Sequence, residues 1–381
     1  MRRWLLIVLC ALLSACASLA PAPALFADAA FAPPPRPVQR DDILALSAEM
    51  RHYLQHDIGP QLHSKGRARA LFDALQARGQ LRLDYDASQT RNAAQTFAAR
   101  SGNCLSLVLM TAALARELGL TVQYHSVIVD PVISRKGALQ FASTHVNLTL
   151  LRFQGESLLS TRDPEASLTI DFLPPEELGR QQNVNIDEAT VKAMYMNNRA
   201  AEALAQGLVD DAYWWARAAI GEQGQFSAAY NTLGVIYQRH GDWTRAAQVF
   251  EYALTREPDS TLLMQNLVPV LSHLGRTEQA HALQARLARL EPYPPFYYFD
   301  RGQAAMQRGD YRQARALFGA EVARAPYNHE FHFWLAQACY QLGQLDEAGR
   351  QLALALENST SGHDHALYAA KLDWLRSHKL N

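Results

Sequence analysis

Three side chains widely separated in the sequence are of the types that carry out nucleophilic acyl transfer: a thiol, Cys104; an imidazole, His145; and a carboxylate, Asp171. In that chemistry the sulfur attacks a carbonyl carbon, the ring moves protons and the carboxylate fixes the ring's tautomer. Cys104 stands at the head of residues 101–119, SGNCLSLVLMTAALARELG. This run is apolar nearly all round, as expected of a helix in a domain interior, and Gly119 supplies a stop signal. A helix starting at Cys104 aims free N–H groups at the sulfur, and their partial positive charge favours thiolate over thiol. The bland alternative is a small apolar core residue.

The elements that must position these groups follow an α+β order. Asp41 or Asp42 can cap a first helix bearing Ile43, Leu44, Leu46, Met50, Tyr53 and Leu54, which Gly59-Pro60 would close. A second helix runs from Ala68 to Gly79, an extended piece spans 81–85, and a helical segment from Thr90 leads into the cysteine helix. Residues 121–129, 144–153 and 167–173 then have strand-like β-branched content, and 130–143 reads as a loop. In THVNLTLL, His145, Asn147 and Thr149 share one face, and Val146, Leu148 and Leu150 the other. In SLTIDFL, Thr169 and Asp171 oppose Leu168, Ile170 and Phe172. If these strands are neighbours, one polar face presents both His145 and Asp171.

The motifs GNCLSL, an apolar helix ending ELGL, THVNL and LTIDF together resemble the transglutaminase-like branch of the papain-like cysteine fold, over roughly residues 41–186. The resemblance implies a Cys-His-Asp triad of Cys104, His145 and Asp171, with Asp163 the rival third member and His125 a rival imidazole. It also implies an oxyanion site combining the Cys104 N–H with an upstream polar side chain, for which Gln95 is the candidate. The sequence departs from the well-studied transglutaminases in lacking an aromatic residue beside the cysteine. Some branches of the superfamily keep the fold without catalysis.

The chain has 381 residues, enough for two or three domains, and a net charge of −1, which gives no bias toward nucleic acid. Of four cysteines, Cys10 and Cys16 lie at the N-terminus, so no disulfide framework is expected. Arg2 and Arg3 precede an apolar run to Leu13, too short to span a bilayer. Its ending, Leu13-Ser14-Ala15-Cys16, resembles a bacterial lipoprotein signal, which implies a signal peptide over 1–15 and a lipid on Cys16. Ordinary secretion with cleavage at a nearby alanine competes. By the same resemblance Ala17 favours outer-membrane sorting, with the chain facing the periplasm. Residues 16–40, rich in Ala and Pro, read as a tether reaching roughly 75 Å when extended and about 25–30 Å when flexible.

Self-comparison shows a 34-residue period: Gly207, Gly241, Gly275, Gly309 and Gly343, with Ala212, Ala246, Ala280, Ala314 and Ala348 in step. The pattern resembles an all-α tetratricopeptide solenoid of five helix pairs, at 193–226, 227–260, 261–294, 295–328 and 329–362, closed by a capping helix over 363–381. Residues 172–187, with Pro174-Pro175, read as a linker. By the resemblance, a protein or peptide partner would lie in a groove including Asn231, Gln238, Gln265, Phe299, Gln303, Phe333, Gln337 and Tyr340. Pro269 should kink its helix. His363 and His365 lack further ligands for a metal, and neither a metal nor an organic cofactor is expected. Two function classes result: a membrane-tethered thiol enzyme acting on amide or ester bonds, or a catalytically silent assembly lipoprotein.

Overall fold

The computed structural model describes residues 25–34, 42–76, 83–87, 89–136, 139–151, 153–154, 157–158, 167–172, 182–359 and 361–379. Cys10, Cys16 and the whole signal segment lie outside them, as does Asp163.

Short helices open the first unit. Helix α1 (Ala48–His52) starts at Ser47, whose hydroxyl accepts from the Met50 N–H, and runs into a π-turn over Tyr53–Asp57. The expected cap at Asp41 or Asp42 is thus displaced, because residues 42–44 form a turn that buries Ile43 and lends its carbonyl to the Ala93 N–H. Gly59-Pro60 does not end a helix but starts one, α2 (Gly59–Ser64), where proline at the first turn gives up no hydrogen bond. Next come α3 (Arg67–Gln76), the two-residue β1 (Asp84–Tyr85), α4 (Ala93–Ala99), β2 (Ser101–Gly102) and α5 (Cys104–Glu117). Eleven of the fourteen α5 residues, Leu105 to Ala115, are buried.

A four-stranded antiparallel sheet follows, in the order β7-β4-β3-β8: β3 (Thr121–Lys136), β4 (Leu139–Leu151), β7 (Ser167–Ile170) and β8 (Gln182–Ile186). Two-residue strands β5 (Phe153–Gln154) and β6 (Ser157–Leu158) form a separate ribbon. The expected loop over 130–143 is instead mostly ladder: β3 and β4 continue past a register shift between Val127 and Val132 into a second paired stretch. Nor are residues 172–187 only a linker, since Gln182–Ile186 adds the edge strand β8. Its polar, asparagine-rich sequence hides the strand signal, which is ordinarily read from apolar alternation.

The register sorts the two sheet faces. Ile170, Leu148, Tyr124 and Ile186 pair across all four strands and join the core that contains α5. The opposite face carries Thr169, Thr149, Asn147, His125 and Asn185. An antiparallel pairing continued one step past β7 sets Asp171 opposite Asn147, with His145 its diagonal neighbour.

Helix pairs then repeat: α6 (Glu188–Ala205) with α7 (Val209–Glu222), α8 (Ser227–His240) with α9 (Trp243–Arg256), α10 (Thr261–His273) with α11 (Thr277–Leu290), α12 (Tyr297–Gln307) with α13 (Tyr311–Arg324), and α14 (His329–Gln341) with α15 (Leu345–Glu357); α16 (Gly362–Lys379) packs on the end. Each periodic glycine has φ of 72–88°, left-handed backbone in which a side chain would be strained. Gly234 and Gly302, 68 residues apart, each admit a phenylalanine ring, Phe250 and Phe318, so closely that an added Cβ would lie 2.5 Å from ring carbon. Helix α10 runs on through Pro269.

One expectation fails clearly. Residues 25–34, read as part of a free tether, lie against α7 and α8 with Leu25 and Phe31 buried. Alanine and proline content does not keep a segment in solvent when two apolar side chains, Leu25 and Phe31, find pockets.

Candidate functional site

The cysteine helix begins at a rigid corner. Asn103 caps α5: its side-chain oxygen accepts from the Ser106 N–H at 2.9 Å and from the Ser106 hydroxyl at 2.8 Å, while its amide donates to the Thr90 hydroxyl at 2.9 Å. Ser106 Oγ in turn accepts from the Arg91 N–H. Gly102 lets β2 lie against the first turn of α5, for a Cβ there would stand 2.7 Å from Ser106 Cβ. Cys104 is the first helical residue after this cap, half-buried and not disulfide-bonded.

The structure brings Cys104, His145 and Asp171 together. Asp171 Oδ1 lies 2.7 Å from His145 Nε2, both side chains nearly buried. The same ring donates to the Cys104 sulfur, and since Nε2 faces the carboxylate, Nδ1 is left for that bond. Burial alone would lower the His145 pKa; hydrogen bonds and charge from Asp171 and Cys104 outweigh it and raise the value to about 9. An imidazolium facing sulfur is the partner that a thiolate nucleophile requires.

Asn147, one row along β4, donates to Asp171 Oδ2 at 2.8 Å, so both carboxylate oxygens are held. The Asn147 side-chain oxygen is buried without a partner. In the sequence Asn147 shows only as a neighbour of His145 on the polar face, and that shared face is the signal for its role.

His125 serves a different network. Its Nδ1 meets Asn185 Oδ1 at 2.9 Å, its Nε2 meets Thr149 Oγ1 at 2.8 Å, and Thr149 Oγ1 meets Thr169 Oγ1 at 3.0 Å. Donation from Nδ1 to the Asn185 oxygen leaves Nε2 to accept from Thr149, so the neutral ring satisfies the whole chain. Burial lowers its pKa, against the Asn185 bond, which keeps it neutral. Gln95 is engaged elsewhere: with Asn92 it closes a capping box on α4, accepting from the Asn92 N–H at 3.2 Å. Among the described residues, no group of three or more His, Cys, Asp or Glu is placed to hold a metal ion, and no helix is long and apolar enough to cross a membrane. His363 and His365 are exposed, and the intervening Asp364 accepts from the Ser361 hydroxyl at the start of α16.

The corner is tied to the repeats. Thr90 N–H donates to Glu202 Oε1 on α6 at 2.6 Å, Arg199 pairs with the other Glu202 oxygen at 2.6 Å, and Arg199 also reaches the Thr90 carbonyl. Arg116 of α5 pairs with Glu188 of α6.

Of the expected groove positions, Phe299 is fully buried in a core with Phe318 and Phe331, which removes it from any groove. An aromatic residue on a first helix serves either purpose, and the neighbouring rings decide. Phe333 stacks on Tyr368, and Tyr340 meets Trp374 edge to face with both rings exposed. Asn231 bonds Asn266, and Gln265 bonds Glu291. Gln238, Gln303 and Gln337 are half-buried.

Comparison with known proteins bears on the helical part. A tetratricopeptide-repeat family model matches residues 299–363. The repeats are of the tetratricopeptide kind. A thermophilic tetratricopeptide-repeat protein of Thermus thermophilus is 22% identical with a TM-score of 0.30, covering 47% of this chain and 98% of that one. The pilF protein of Pseudomonas aeruginosa is 17% identical with a TM-score of 0.30, covering 51% and 86%. Cellulose synthase 1 operon protein C of Komagataeibacter xylinus is 26% identical over 151 residues, 38% of this chain; the match spans only 11% of that protein's length.

Proposed function

We propose that this chain is a lipid-anchored envelope protein in which a transglutaminase-like thiol domain acts on amide or ester bonds while the tetratricopeptide array recruits a protein partner. What carries the reading is one interaction, the 2.7 Å contact of Asp171 with a His145 ring whose other nitrogen is left for Cys104. The sulfur attacks the carbonyl carbon of the substrate, and the leaving amine or alcohol takes the imidazolium proton as its bond to carbon breaks. The thioester so formed yields to water, in hydrolysis, or to an amine, in transfer; His145 accepts the proton and the thiolate is restored. Asp171 holds the ring and offsets its charge throughout. Cys16 is the anchor in this reading, placing the domain on the periplasmic side, at the outer membrane.

Iodoacetamide labelling of the full chain, read by mass spectrometry, tests the thiol. Cys104 is expected to react at least tenfold faster than Cys339, which is buried and whose pKa burial raises. His145→Ala should remove the advantage. Equal rates, or an advantage indifferent to His145, would leave an assembly protein whose cysteine fold does no chemistry. Loss of palmitate incorporation in Cys16→Ala tests the anchor.

A further inference from the structure

Residues 25–34 engage the array as a bound peptide does, through main-chain contacts at intervals and three side chains. Tyr237 Oη donates to the Leu25 carbonyl at 2.6 Å; Ala27 N–H donates to Tyr213 Oη at 2.8 Å; Trp214 Nε1 donates to the Ala32 carbonyl at 2.7 Å; and Ala32 N–H donates to Asp210 Oδ1 at 3.2 Å. Three contacting side chains are spaced by three, the outer two buried and the middle one, Asp28, at the surface. Leu25 is buried. Asp28 accepts from Tyr213 Oη at 2.6 Å and from Arg217 Nε at 2.7 Å. Phe31 stacks flat on Tyr213, with centroids 3.9 Å apart, and also meets Tyr237 and His240. Between these anchors Ala29 and Ala30 are exposed, while Phe26, also at the surface, lies beneath the Arg217 guanidinium at 5.3 Å. A core strand would bury every second side chain; this segment is held at its anchors and leaves Ala29 and Ala30 exposed.

We propose that the α7–α8 face of the array is a recognition site for peptides of the pattern Leu-x-x-Asp-x-x-Phe, and that the chain's own residues 25–34 are its resident occupant, displaced by a partner segment of the same pattern. The site differs from the groove expected on the first helices: it centres on Tyr213, Trp214 and Arg217 of a second helix and Tyr237 of the next. It rests on these contacts alone and is independent of the thiol chemistry. Its specificity follows from three demands: an aromatic face for Tyr213, a carboxylate for Arg217 and Tyr213 together, and an apolar first anchor. Residue 34 is followed by only seven residues before the described chain resumes at 42, so the occupant is held at a local concentration of about a millimolar, and a free peptide must compete with it.

The test uses full-length chain and a fluorescein-labelled peptide of residues 25–34, followed by anisotropy. The Asp28→Ala/Phe31→Ala chain is expected to bind the peptide at least tenfold more tightly than wild type, because its own segment no longer competes. Adding Arg217→Ala should remove that gain, and a peptide with alanine at the Phe31 position should not bind. A double variant that binds no better than wild type, or that binds the alanine peptide equally, overturns the proposal. Should the double variant lose its helical circular dichroism, hydrogen exchange on wild type decides. Millimolar peptide must then accelerate exchange at Ala27 and Ala32, and unchanged exchange would make the contact a permanent part of the fold.

Discussion

Asp171 and His145 meet at 2.7 Å although 26 residues separate them, because two adjacent antiparallel strands present them on one face of the sheet. Sulfur, ring and carboxylate therefore depend on one ladder and one helix cap, and each can be disturbed separately.

The first prediction concerns pH. The His145 pKa is raised to about 9 in the folded chain against about 6.5 when unfolded. A raised value favours folding while the ring is protonated, so this contribution is complete below about pH 6.5 and disappears as pH climbs through 9. The melting temperature of wild type relative to His145→Gln should fall over that interval; a difference that stays flat would contradict the assigned contacts.

Gly102→Ala should be costly. The new Cβ would meet Ser106 Cβ at 2.7 Å and Thr96 Cγ2 at 3.2 Å, on side chains whose hydroxyls are held by hydrogen bonds to the Asn103 oxygen and the Asn92 carbonyl. Overpacking of this kind costs about 1–3 kcal/mol. Thermal unfolding checks the cost, and iodoacetamide labelling checks the accompanying displacement of Cys104.

Glu202→Ala tests the tie between the two parts of the chain. It strips partners from the Thr90 N–H and from Arg199, and an orphaned buried donor costs about 1–3 kcal/mol. Because Thr90 also holds Asn103, the Cys104 labelling rate should change by twofold or more. Glu347→Ala, which removes an ion pair with Arg350 at the far end of the array, should leave that rate alone.

Gly234→Ala and Gly302→Ala should behave alike, since Phe250 and Phe318 occupy equivalent positions one double period apart. Each is expected to destabilise the array by about 1–3 kcal/mol, read as a lowered denaturant midpoint. Gly319→Ala, with nothing within 4 Å of the added carbon, serves as the control.

What could be read from the letters was what depends on local periodicity. Glycines 34 apart mark left-handed turns that little else tolerates, so the helix pairs were visible. Alternation along β4 put His145 and Asn147 on one side without knowledge of their neighbours. Three things were hidden for the opposite reason. Gln182–Ile186 is a strand only because β3 offers it an edge, and Phe299 is core only because Phe318 and Phe331 surround it. Ile43 is buried in a turn because Ala93, fifty residues on, takes its carbonyl. Partners distant in sequence leave no trace in the composition of a short stretch.

The docked segment also sets a height. If lipid is carried at Cys16, only residues 17–24 separate the acyl chains from Leu25, and eight residues stretch to at most about 28 Å. The solenoid would then be moored close to the bilayer by its first two helix pairs, and releasing the segment would lengthen that leash through residue 41 and let the array swing farther from the surface.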